Sequence, residues 1–148
     1  MRRLARLLIC LALLPTLVAA ENVQARFQVS AQVAPRASIE PVGIAPREIR
    51  VTDLDLSRGY KDVPATYRIR SNDSRGYLLR FATRAGLADG IEVSGLAAPL
   101  SIGELGAEMM LSGAAPVQDY ALQFRLHLLP TAQAGTYELP VLVAVATL

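Results

Sequence analysis

Cysteine is almost missing from this 148-residue chain, and the one present, Cys10, lies in an apolar run at the N-terminus. A lipoprotein signal would need a small residue just before that cysteine, and Ile9 stands there. Beyond Cys10 no disulfide can form, so the rest of the chain depends on packing and ladder hydrogen bonds. Histidine occurs once, as His127, and a zinc site needs several His, Cys or carboxylate ligands. No tryptophan is present, which argues against a sugar-binding platform built on aromatic rings. Charge of one sign is also lacking: 15 basic residues face 13 acidic ones. No serine sits in a G-x-S-x-G setting, so a nucleophile elbow is not indicated.

What is present begins with an export signal. Arg2, Arg3 and Arg6 form a basic start, residues 7–18 are apolar apart from Pro15 and Thr16, and Val18-Ala19-Ala20 supplies small residues. Cleavage is expected before Glu21, leaving residues 21–148 as one domain of usual size. The apolar run is shorter than the roughly 20 residues of a spanning helix. No second run of that length follows, so no membrane span is expected. Processing removes three basic and no acidic residues, leaving 12 against 13 and a net charge of −1. A nucleic-acid partner thereby loses its electrostatic motive.

The dominant period is two. Phe27, Val29, Ala31 and Val33 alternate with polar neighbours and read as a half-buried strand ended by Pro35. Ile49 and Val51 alternate with Arg50 and Thr52, the apolar positions continue to Leu54 and Leu56, and Arg58-Gly59 turns the chain. Tyr67 and Ile69, then Tyr77, Leu79 and Phe81, flank the turn formers of residues 71–76 and predict a hairpin. Short strands are expected at 91–93, 100–102 and 109–111, and a long one at 120–128 with His127 on its polar face. A last strand is expected over 136–148, apolar on both faces and therefore central or covered by a partner. Strands at this spacing, broken by Gly and Pro, imply an all-β two-sheet sandwich.

Few residues suggest chemistry. Asp53 and Asp55, two apart at an expected strand end, would point the same way, but nothing nearby completes a calcium loop. Arg68, Arg70, Arg80 and Arg125 fall opposite the apolar faces and would form a basic stripe if not neutralised. The five tyrosines read as core or rim packing. No catalytic, metal-binding or cofactor-binding residues are assigned, and a non-enzymatic protein is expected.

Two stretches resemble the spore coat protein U-like pilin subunits of archaic chaperone–usher systems. The first is the alternating segment 27–33 after the signal, followed by Ala37-Ser38-Ile39. The second is Ala134-Gly135-Thr136-Tyr137 leading into a final apolar strand. The segment containing Ala37-Ser38 carries no family cysteine, and the end, Ala146-Thr147-Leu148, carries no aromatic. The resemblance implies an immunoglobulin-like β-sandwich that lacks one strand and is completed by a donor strand. It also implies a periplasmic chaperone and usher and neighbouring pilin subunits as partners, passage through the periplasm to the cell surface, and a fimbrial or adhesive role. Donor residues would be Phe27, Val29, Ala31 and Val33, and the acceptor groove would be lined by Val141, Val143 and Val145. The alternative is a self-contained periplasmic or surface β-sandwich binding module, in which residues 27–33 pair within their own sheet.

Overall fold

The structure, a computed structural model, describes residues 30–43, 46–112 and 115–148. In chain order these form β1 (Ala37–Pro41), β2 (Glu48–Val51), α1 (Asp53–Arg58), β3 (Tyr60–Ser71), β4 (Tyr77–Thr83) and β5 (Ala88–Ser94). There follow β6 (Leu100–Ile102), β7 (Ala107–Leu111), β8 (Val117–Leu128), β9 (Gly135–Glu138) and β10 (Val141–Thr147). Five strands form one antiparallel sheet in the order β1-β3-β8-β5-β6. A second sheet runs β10-β4-β7, and β2 pairs with β9. The fold is all-β and sandwich-like.

Alternation places the core. Leu122, Phe124, Leu126 and Leu128 of β8 point inward from the larger sheet, and Tyr77, Leu79 and Phe81 of β4 point inward from the smaller one. Ile49, Val51 and Leu139 join the same cluster, so all three pairings share one interior within Val33–Leu148. Each large apolar side chain buried there stabilises the fold by roughly 1.5–3 kcal/mol.

Three expectations are corrected. The alternation after Val51 does not continue as a strand, because Thr52 starts α1 with a capping box. Asp55 N donates to Thr52 Oγ1 at 3.3 Å, and Thr52 N donates to Asp55 Oδ2 at 2.9 Å. Gly59, at φ 77°, ends the helix by donating to Asp55 O and Leu56 O. Leu54, one of the apolar positions expected to continue the strand, is 57% exposed.

The predicted hairpin is not one. β3 pairs with β8 from Tyr60 opposite His127 to Arg70 opposite Val117, whereas β4 lies in the other sheet. Residues 71–76 therefore carry the chain across the sandwich. Asp73, buried, receives Arg75 N and the Arg75 guanidinium, and Gly76 sits at φ 116° against β7. A Cβ at Gly76 would stand 2.0 Å from Leu111 O, so the crossing admits no side chain there.

The long C-terminal strand is two strands. Pro140 offers no N–H to a ladder, and the pairing changes around it: β9 joins β2 while β10 joins β4. β10 lies at the edge of its sheet among the described residues, not at its centre. One face is covered, with Val141 buried and Val143 and Val145 half-buried, whereas on the other Leu142 and Ala144 are exposed and Ala146 is half-buried.

Candidate functional site

The candidate acceptor residues Val141, Val143 and Val145 lie on one face of β10, pointing toward the core. Their backbone groups have a direction too. Arg84 N donates to Pro140 O at 2.9 Å, one step beyond the Thr83–Val141 register. In an antiparallel ladder, opposed pairs that share hydrogen bonds alternate with pairs that share none. Leu142, Ala144 and Ala146 therefore bond to β4. Val141, Val143, Val145 and Thr147 direct their N–H and C=O groups to the other edge, where no described strand pairs with them.

β1 presents a similar edge. Asn72 N donates to Arg36 O at 3.2 Å and Val42 N to Thr66 O at 2.8 Å, which places Ser38 and Glu40 in the bonded positions facing β3. Ala37 and Ile39 thus direct their backbone groups outward while their half-buried side chains touch the core. β1 and β10 approach each other without sharing a ladder.

Two clefts open along this line. One, of about 750 Å³, is walled by Pro35, Ala37, Asn72, Pro116, Ala146 and Thr147. The other, of about 450 Å³, is walled by Arg47, Tyr67, Leu139, Val141 and Val143. Burial raises the pKa of the Tyr67 hydroxyl, so that side chain stays neutral. An Arg84–Glu138 ion pair stands at the same end. At the opposite end Arg75 binds Asp73 at 2.7 Å and donates to Leu148 O at 3.1 Å. That guanidinium, with the Arg75 N–H, holds the Asp73 carboxyl below its ordinary range.

The candidate donor residues fall elsewhere. Phe27 and Val29 lie outside the described residues. Ala31 and Val33 are in no strand and are exposed, Val33 at 77%. Ala34 is gripped from the turn after β3: Asn72 Nδ2 donates to Ala34 O at 3.0 Å, and Arg36 N donates to Asn72 Oδ1 at 2.6 Å. Sequence reasoning placed Asn72 only among turn formers, since a contact across 36 residues leaves no local signal.

The other candidates resolve into structural roles. Asp53 and Asp55 do not form a carboxylate pair. Asp55 is the partner of the N-cap Thr52 in the capping box of α1, bound also by Lys61 Nζ at 3.0 Å, with its pKa lowered to about 2, chiefly by the Thr52 hydroxyl. The arginine stripe is neutralised across strands. Arg68 meets Asp119 at 2.7 Å, Arg70 meets Glu40 at 2.9 Å, Arg80 meets Glu108 at 2.8 Å and Arg125 meets Asp62 at 2.8 Å. His127 is at the rim, 3.4 Å from Glu92. Tyr77 and Tyr120 share a hydroxyl hydrogen bond, and Tyr137 closes its own loop onto Gln133 O. Among the described residues no group of three or more His, Cys, Asp or Glu is arranged to hold a metal. Comparison with protein-family models, curated proteins and solved structures returned no match.

Proposed function

We propose that this chain is an exported, non-enzymatic structural subunit or accessory protein of a chaperone–usher, pilus-like system of the spore coat protein U-like kind. It accepts a strand from a neighbouring subunit and donates its own segment 27–33 in turn. One observation carries this reading. The same residues of β10 turn valine side chains toward the core and, toward the other edge, backbone groups that no described strand pairs with. A strand laid there would gain ladder bonds and apolar burial together, which is how strand addition combines affinity with specificity. An edge of this kind is an aggregation hazard unless covered, so a chaperone that lends a strand before assembly follows from the same geometry.

The donor side is tested on the processed chain. Val29→Asp is expected to block assembly, while Ser30→Asp, on the opposite face of the segment, is tolerated. Light scattering after size exclusion reads the difference. A processed chain that stays monomeric, and is indifferent to both substitutions, would leave the self-contained module as the better reading.

A further inference from the structure

The way residues 34–36 are held bears on where the N-terminal segment goes. Asn72 grips this stretch three times: its Nδ2 donates to Ala34 O, its Oδ1 accepts Arg36 N–H, and its own N–H donates to Arg36 O. Between the side-chain grips stands Pro35, which has no N–H, fixes its own φ and drives Ala34 toward extended backbone. The three residues thus continue the line of β1, extending its pairing with β3 beyond Ala37–Ser71.

Asn72 is itself firmly placed. Ser71 N donates to Pro116 O at 3.0 Å, Asp73 N donates to Ser71 Oγ at 3.1 Å, and the buried Asp73 carboxylate is locked by Arg75. The side-chain amide of Asn72 is exposed and contributes nothing to the core. It is a rigidly mounted group whose hydrogen bonds go to the incoming chain.

The direction matters because the groove begins beside it. Ala37 shares a cleft with Thr147, and Tyr67, opposite Pro41, shares the other cleft with Val141, so β1 and β10 run antiparallel along the groove. For residues 27–33 to fill the groove of their own domain, the chain must reverse within residues 34–36 and return beside β1. Reversal turns Ala34 C=O and Arg36 N–H away from Asn72 and works against the proline.

We propose that Asn72 is a positioning residue that keeps this exit straight, so that the N-terminal segment is delivered to the groove of a second copy of this chain and not to its own. The proposal rests on the strand-donation reading above. Its two side-chain bonds favour the straight exit, and their loss is expected to shift the ratio of self-closed monomer to assembled chain about tenfold.

The test uses the processed chain refolded by dilution, with three variants. Asn72→Ala is expected to raise the proportion of a folded monomer that refuses an added synthetic peptide of residues 24–34, because its groove is already filled. Asn72→Asp keeps an acceptor for Arg36 N–H and loses the donor to Ala34 O, so it should fall between Asn72→Ala and the parent. Pro35→Gly loosens the same stretch with Asn72 intact and should shift the ratio in the same direction, which covers the case that Asn72→Ala does not fold. Circular dichroism separates folded monomer from unfolded chain. If the parent assembles and no folded variant changes the ratio, the positioning role is refuted while strand donation stands. If the parent neither assembles nor takes up peptide, strand donation fails and the positioning role with it.

Discussion

Three neighbouring residues of β10 would separate a folding effect from an effect on the proposed assembly. Val141 is 4% exposed, Leu142 is 49% exposed, and Val143 is half-buried with its backbone on the open edge. Val141→Asp puts a carboxylate into the core and is expected to cost several kcal/mol of folding stability, since the buried charge has no partner. Leu142→Asp faces solvent and should change stability by about 0.5 kcal/mol or less. Val143→Asp should cost about 1 kcal/mol in folding, because its side chain still reaches water. An added strand would remove that access. The remaining half of the valine burial, about 1 kcal/mol, would be lost, and the desolvation of a carboxylate would add at least as much. Together these predict uptake of the 24–34 peptide weakened by about 30-fold or more in Val143→Asp and unchanged in Leu142→Asp. Denaturant titrations read the folding term, and fluorescence titration with a labelled peptide reads the second. Equal loss of peptide uptake in Leu142→Asp and Val143→Asp would refute the face and edge assignment. So would a folding cost for Val143→Asp as large as that for Val141→Asp.

Three further outcomes follow from the structure and the sequence. Asp55, with its pKa lowered to about 2 from 3.8 by Thr52 and Lys61, stabilises the fold above its unfolded pKa and loses that contribution as pH falls through the folded value. The stability gap between parent and Asp55→Ala should be about 1–2 kcal/mol at pH 6 and shrink between about pH 4 and pH 2, with urea titrations across that range as the check. Reductant should leave the melting temperature of the processed chain unchanged, because no cysteine remains after residue 20; a reproducible shift of several degrees would contradict this. Mass spectrometry of the exported protein should find Glu21 at its N-terminus, and an intact Met1 would overturn the export reading.

Alternation alone located most of the interior. Tyr77, Leu79 and Phe81, and Leu122, Phe124 and Leu126, were legible because every second residue is large and apolar while the residues between them, Leu78 apart, are not. What alternation could not show was pairing. β3 and β4 are joined by a short polar stretch, and only the cross-chain register shows that they belong to opposite sheets. Near Thr52 the pattern was ambiguous, because Leu54 and Leu56 are two apart but out of step with Ile49 and Val51, while the Thr52-to-Asp55 spacing fits a helix cap. The cap decided it, since it satisfies backbone groups that a strand end would have left open.

β10 shows why the candidate site was only half legible. A run apolar on both faces, as in Val141-Leu142-Val143-Ala144-Val145, is what a central strand needs. An edge strand that will be covered only after assembly needs the same pattern, because its final environment is also buried. Composition reports the environment a strand ends in, not the state of a single chain. The backbone shows that β10 is not central among the described residues: Pro140 precedes the strand, one ladder joins it to β4, and alternation of the hydrogen bonds leaves Val141, Val143 and Val145 aimed at the other side. Had β10 been a self-sufficient edge, a lysine or a further proline in place of Val143 would blunt it at small cost. It carries neither, and Leu142, exposed on its outer face, shows that solvent exposure alone has not made the strand polar. Among the described residues this unblunted apolar edge faces an edge of β1 that is also unpaired, which is what the strand-addition proposal needs, and a strand bound there would have to match inward valines and outward amides at once.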